Sequence, residues 1–144
     1  MEQDAKQVNR FIVMCVEQYA VCINQSSSDT YYRLNETGII KELEDDYEDM
    51  HGMSIYLVNE YIHKRLGNVD QTVNGYEAKI GHVIPKTILI SQTIELIANK
   101  YKLTIEEARN RFYKSNVIKM LDDDETGLYG ESALYLLSLY EQEL

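Results

Sequence analysis

Twice along this chain apolar residues fall at the i, i+3, i+4, i+7 spacing of a single helix face. Val8, Phe11, Ile12, Cys15, Tyr19, Cys22 and Ile23 make the first such face, and Ile90, Ile94, Ile97 and Tyr101 the second. Behind each comes a helix start signal, a hydroxyl side chain followed three positions on by an acid: Ser26 with Asp29, and Thr104 with Glu107. A short second helix then buries Leu34 or Phe112. A third turns Ile39, Ile40 and Leu43, or Val117, Ile118 and Leu121, inward, and an acidic turn closes it. The last helix sets Ile55, Val58, Ile62 and Leu66 on one face, and its counterpart sets Ala133, Leu136, Leu137, Tyr140 and Leu144 there. The pattern predicts an all-α fold with three to four helices in each half.

The two halves also align with one another. A shift of 78 positions lays residues 11–66 over 89–144 without a gap. Glu17 meets Glu95, Ala20 meets Ala98, Arg33 meets Arg111, Leu43 meets Leu121, Asp45 and Asp46 meet Asp123 and Asp124, and Ser54 meets Ser132. Such density without a gap reads as a tandem duplication. Each unit alone is near the lower size limit for folding, so the two are expected to share a core. The boundaries follow as a first repeat at 1–66, a connection at 67–86 and a second repeat at 87–144. Gly67, Gly75, Gly81 and Pro85 crowd the connection. It reads either as a linker or as a small hairpin, since Asn74-Gly75 between Val73 and Tyr76 is a type I′ turn signal.

Composition agrees with an ordered helical protein: 44% of residues are hydrophobic, 26% are charged, and proline occurs once. A net charge of −10 opposes direct contact with nucleic acid or an anionic membrane and favours a protein partner with a basic surface. No signal-peptide pattern opens the chain and no apolar run approaches the ~20 residues of a membrane span, so a cytoplasmic location is expected. Cys15 and Cys22 lie about 10 Å apart along a helix axis, too far for a disulfide, and read as small core residues.

The acidic turns are the first candidate for chemistry. Carboxylates at a helix C-terminus oppose its dipole, and the same placement in both halves suggests pairing with a partner's Lys or Arg, although a solvated loop remains the plainer alternative. Asp45, Asp46, Tyr47 and Asp49 in one half, with Asp122, Asp123, Asp124 and Tyr129 in the other, are the candidate partner-binding residues. Asp122-x-Asp124-x-Thr126-Gly127 opens like an EF-hand loop, but Ala133 stands where the bidentate Glu is required. His51, His63 and His82 lack ligand spacing, so neither metal nor cofactor is expected. Of the 12 tyrosines, Tyr19, Tyr61, Tyr101 and Tyr140 fit core faces, whereas Tyr31, Tyr32, Tyr47, Tyr56, Tyr76 and Tyr129 fall near element ends as interface candidates. No nucleophile elbow, phosphate loop, Cys–His arrangement or HExxH occurs, so catalysis is not expected.

Phe11-x-x-x-Cys15-x-Glu17-x-Tyr19, followed by Gly38-Ile39, Leu43, Tyr47-x-x-Met50-His51-Gly52 and Val58-x-x-Tyr61-Ile62, resembles a family of short bacterial proteins known as a domain of unknown function. The resemblance covers residues 8–66. The second half, with Phe112-Tyr113-x-Ser115 and Asp124 to Tyr129, looks like a divergent partner of the first. Genes of that family often neighbour a toxin of ADP-ribosyltransferase-like fold. The resemblance therefore implies a non-enzymatic antitoxin that neutralises the toxin by direct contact. An adaptor or homo-oligomerising module without a toxin partner is the alternative.

Overall fold

Every element among the described residues is helical, as the 3.6-residue periodicity predicts. The computed structural model describes residues 2–67 and 82–144, with side chains from Ala5 onward. Helices α1 (Glu2–Ile23), α2 (Ser27–Glu36), α3 (Ile39–Asp45), α4 (Tyr47–Met50) and α5 (Ile55–Arg65) precede the undescribed segment. Helices α6 (Val83–Tyr101), α7 (Ile105–Tyr113), α8 (Asn116–Asp122) and α9 (Ala133–Gln142) follow it, with 3-10 turns at Asp124–Thr126 and Leu128–Gly130 between α8 and α9. The suggested hairpin at Asn74-Gly75 lies outside the described residues.

Local chemistry fixes these boundaries, and it does so at one recurring spacing. Helix α1 ends where Asn24 turns left-handed, letting Gln25 N–H reach Ala20 O at 3.0 Å; α6 ends where Lys102 does the same and Leu103 N–H reaches Ala98 O at 2.9 Å. Ser26 and Thr104 then cap α2 and α7 by accepting the N–H of Asp29 and Glu107, both at 3.1 Å. Ser54 and Ser132 cap α5 and α9 alike, from Leu57 and Tyr135. In each pair the second residue is the one 78 positions on. Gly38 starts α3 at φ +80°, a conformation that L side chains rarely adopt.

Helices α1 and α6 form the most extensive pairing and run antiparallel, so that Arg10 meets Glu95 while Glu17 lies toward Lys86. Helices α2, α3, α5 and α7 pack on α1, and α7 and α9 pack on α6. One hydrophobic cluster runs through both halves, from Ile12, Val16 and Leu34 to Ile94, Phe112 and Leu136. A polar seam crosses it. Arg109, 1% exposed, donates to Tyr31 Oη at 3.3 Å, Asn9 Oδ1 at 3.2 Å and Glu44 Oε2 at 3.3 Å. Tyr31 in turn stacks on Tyr113 with ring centroids 4.3 Å apart and donates to Asn110. Three acceptors, one of them the Glu44 carboxylate, offset the cost of burying this guanidinium.

Five expectations need correction. Among the described residues the first half holds five helices where three to four are expected, because part of its acidic turn coils into the four-residue α4. Pro85 does not precede the second long helix but sits in its first turn, where a missing N–H costs nothing, so residues 83–86 are helix and not linker. Tyr101 is exposed and donates to Glu141 at 2.6 Å, because the chain turns left-handed one residue later and leaves this ring at the rim. Leu144 is exposed because α9 stops at Gln142. Tyr31, an interface candidate from its place near an element end, is among the most deeply buried side chains, being wanted by Arg109. Cys15 and Cys22 are buried free thiols, as their spacing predicts.

Candidate functional site

The C-terminal end of α1, the start of α2, the start of α6 and the end of α8 surround a cleft of about 670 Å³. At its inner wall is Glu17, 4% exposed, on the face of α1 that otherwise carries Val13, Val16 and Ala20. Ser27 opens α2 immediately after the Ser26 cap, and its hydroxyl lies 2.7 Å from Glu17 Oε1 and 2.8 Å from Asp122 Oδ1. Its N–H also donates to Asp122 Oδ2 at 3.1 Å, so this carboxylate occupies the positive end of α2. From the far side Tyr113 Oη donates to Glu17 Oε2 at 3.0 Å.

That geometry suits a shared proton. A serine hydroxyl has one hydrogen to give, yet carboxyl oxygens of two residues stand within hydrogen-bond distance of it, so both contacts are hydrogen bonds only when one carboxyl is protonated and donates to Ser27 Oγ. Glu17 is the better holder. Its pKa is raised to about 7, first by burial and then by the charge of Asp122, which together outweigh the lowering effect of bonds from Ser27 and Tyr113 and of the Lys86 charge. Asp122 is also raised, mainly by burial, but its two bonds from Ser27 and the Lys86 charge favour its ionised form.

The outer wall is a second cluster. Lys86 Nζ bonds Asp124 Oδ1 at 2.6 Å, His82 Nδ1 lies 3.1 Å from Asp124 Oδ2, and the His82 ring stacks on Tyr129 at 3.9 Å. These contacts hold Asp124 below its ordinary pKa, the Lys86 bond first among them. Asp123 faces away and caps the 3-10 turn through Glu125 N–H at 3.0 Å. Of the candidate residues in the second half, Asp122, Asp124 and Tyr129 thus meet around one cleft.

The first-half candidates do not join them. Asp45 pairs with Lys41 one turn back at 3.3 Å, Asp46 links α3 to α4 without a side-chain cap, and Asp49 is exposed. Tyr47 stacks on His51 at 4.5 Å and meets Phe11 edge-on at 5.5 Å. Beyond each acidic turn, however, lies an exposed apolar pair at the start of the last helix. Tyr56 and Leu57 are 55% and 50% exposed, and Leu134 and Tyr135, 78 positions on, are 68% and 45% exposed.

Glu17, Ser27, Lys86 and His82 were not among the candidates, nor were Leu57, Leu134 and Tyr135. For Glu17 a signal existed, a carboxyl within an apolar helix face. Among the described residues no group of three or more His, Cys, Asp and Glu side chains could hold a metal ion. Nor among them is any helix long and apolar enough to cross a membrane. No family model, curated protein or solved structure matches the chain.

Proposed function

We propose that this chain is a non-enzymatic, cytoplasmic binding protein, an antitoxin that neutralises a toxin of ADP-ribosyltransferase-like fold by direct contact through a basic surface of that toxin. The carrying observation is the paired exposure of Tyr56–Leu57 and Leu134–Tyr135, each beyond an acidic turn. Large apolar side chains left out of the core at matched positions, next to carboxylates, have the make-up of an interface: an apolar centre with a charged rim that steers a basic partner. We further propose that the halves are copies of one unit. The recurrence at 78 residues of both left-handed helix ends, both pairs of caps and both exposed pairs supports this reading.

The test expresses the gene immediately beside this one, alone and together with this chain, with growth and co-purification as readouts. Relief of growth arrest and a stable hetero-complex are expected. The variant Tyr56→Ser/Leu57→Ser/Leu134→Ser/Tyr135→Ser should melt within a few degrees of the parent yet lose the complex. A chain that self-associates, ignores the neighbouring product and leaves growth arrested would favour an adaptor and overturn the reading.

A further inference from the structure

The cleft holding Glu17 has a counterpart in the same molecule. A second cleft of about 780 Å³ is lined by Glu95, Ala98, Asn99, Lys102, Thr104 and Ile105, among others, and each of these six is the residue 78 positions after one lining the first. Equivalent helix ends build both, but the chemistry differs. Where the first cleft has Ser27 the second has Ile105, which packs on the core, and Glu95 is drawn off by Arg10 at 3.1 Å. The fold therefore accepts an apolar side chain at this position. The buried Glu17–Ser27–Asp122 set is not a requirement of the architecture, and it carries a desolvation cost that Ile105 avoids.

When Glu17 is protonated, its proton joins the two carboxyls through Ser27. Among the described residues that line the cleft, Lys86 bonds Asp124, which His82 also contacts. Facing Glu17 are Ser27 from α2, Tyr113 from α7, Asp122 from α8 and Lys86 from α6, with Asp29 and Asp124 next around them. Among these groups Lys86 is the one cation, and its charge is shared among three carboxyls, those of Glu17, Asp122 and Asp124. A group with several N–H donors and one positive charge can bond both carboxylates at once, and charge-assisted bonds of this kind are among the strongest available. We propose that this cleft binds one ammonium or guanidinium group, which enters in exchange for the proton shared across Ser27. Resting on the reading of the chain as the binder of a basic protein, the bearer of that group is a Lys or Arg side chain of the partner.

Isothermal titration of the full chain with butylguanidinium chloride, in buffers of different ionisation enthalpy, tests the exchange, with neutral butylurea as control. Saturable binding is expected at pH 6 to 8. Release should approach one proton at pH 6, and affinity should rise up to about tenfold per pH unit until it levels near pH 7. Glu17→Gln should weaken binding at least tenfold and remove its pH dependence, while Glu95→Gln should change neither. Binding without proton release, binding shared by butylurea, or no binding overturns the proposal, and the wild-type titration decides this without any variant. The partner arm is separate. Weakened binding of the neighbouring gene product by Glu17→Gln assigns the cation to the partner; full binding by the same variant removes that assignment and leaves the antitoxin reading standing. A chain that takes butylguanidinium but no neighbouring product keeps the cleft and overturns the antitoxin reading.

Discussion

Glu17→Gln should flatten the pH dependence of folding stability. In the unfolded chain this carboxyl ionises near 4.5, whereas in the fold burial raises it to about 7. The folded state thus holds the proton more tightly. Its contribution is complete below pH 4.5 and is lost as pH rises toward and through 7. At 1.4 kcal/mol per pH unit the gap corresponds to about 3 kcal/mol, most of it falling between pH 5 and 8. Because the proton is shared, the loss belongs to the Glu17–Asp122 pair, and Asp122, also raised, adds in the same sense at lower pH. Glutamine imitates the protonated state: its amide can donate toward Ser27 while its oxygen accepts from Tyr113. Urea unfolding of both proteins at pH 5, 6, 7 and 8 provides the measurement. The parent should lose about 2 to 3 kcal/mol relative to the variant across that range, with other groups cancelling in the difference. Curves that stay parallel within about 0.5 kcal/mol would refute the proton assignment and the geometry behind it.

Arg109→Met strips a buried cation from Tyr31, Asn9 and Glu44 and should cost about 3 to 5 kcal/mol in urea unfolding, since it leaves buried acceptors unpaired. Gly38→Ala should cost about 1 kcal/mol by thermal melting. A methyl group there meets no atom within 4 Å, so the loss would be one of backbone conformation alone. Ser54→Ala and Ser132→Ala should each cost about 1 kcal/mol through loss of the cap, read by circular dichroism on heating. Residues 1–67 and 82–144 expressed apart should lack cooperative melting and regain helix on mixing; independent melting at the intact chain's temperature would contradict the shared cluster.

The starts of α2 and α7 were legible in the sequence because a cap is a local event. Ser26 and Thr104 act on residues three places away, so short-range pattern reveals them. What escaped depends on residues far apart in the chain. Nothing near Tyr31 indicates that Arg109 will take its hydroxyl, and nothing near Tyr101 indicates that Glu141 will reach it from α9. The site divides in the same way. Asp122, Asp124 and Tyr129 stood out as an acidic turn with an aromatic, but their gathering depends on Ser27, Lys86 and His82, each contributed by another element. Asp45, Asp46, Tyr47 and Asp49 share the same local pattern and gather no such partners, since the α3–α4 turn faces Phe11 instead.

The polar seam also limits which assemblies the chain can form. Tyr31 on α2 and Arg109 on α7 stand 78 positions apart in the sequence, and they bond one another. Across a two-fold pairing of like halves, each would therefore oppose its own kind. Two second halves brought face to face would bury two guanidinium groups against each other, and two first halves would set tyrosine against tyrosine with no cation for Glu44. On the proposal that the halves are copies of one unit, a first half is therefore expected to pair with a second, within one chain or by exchange of whole halves between two.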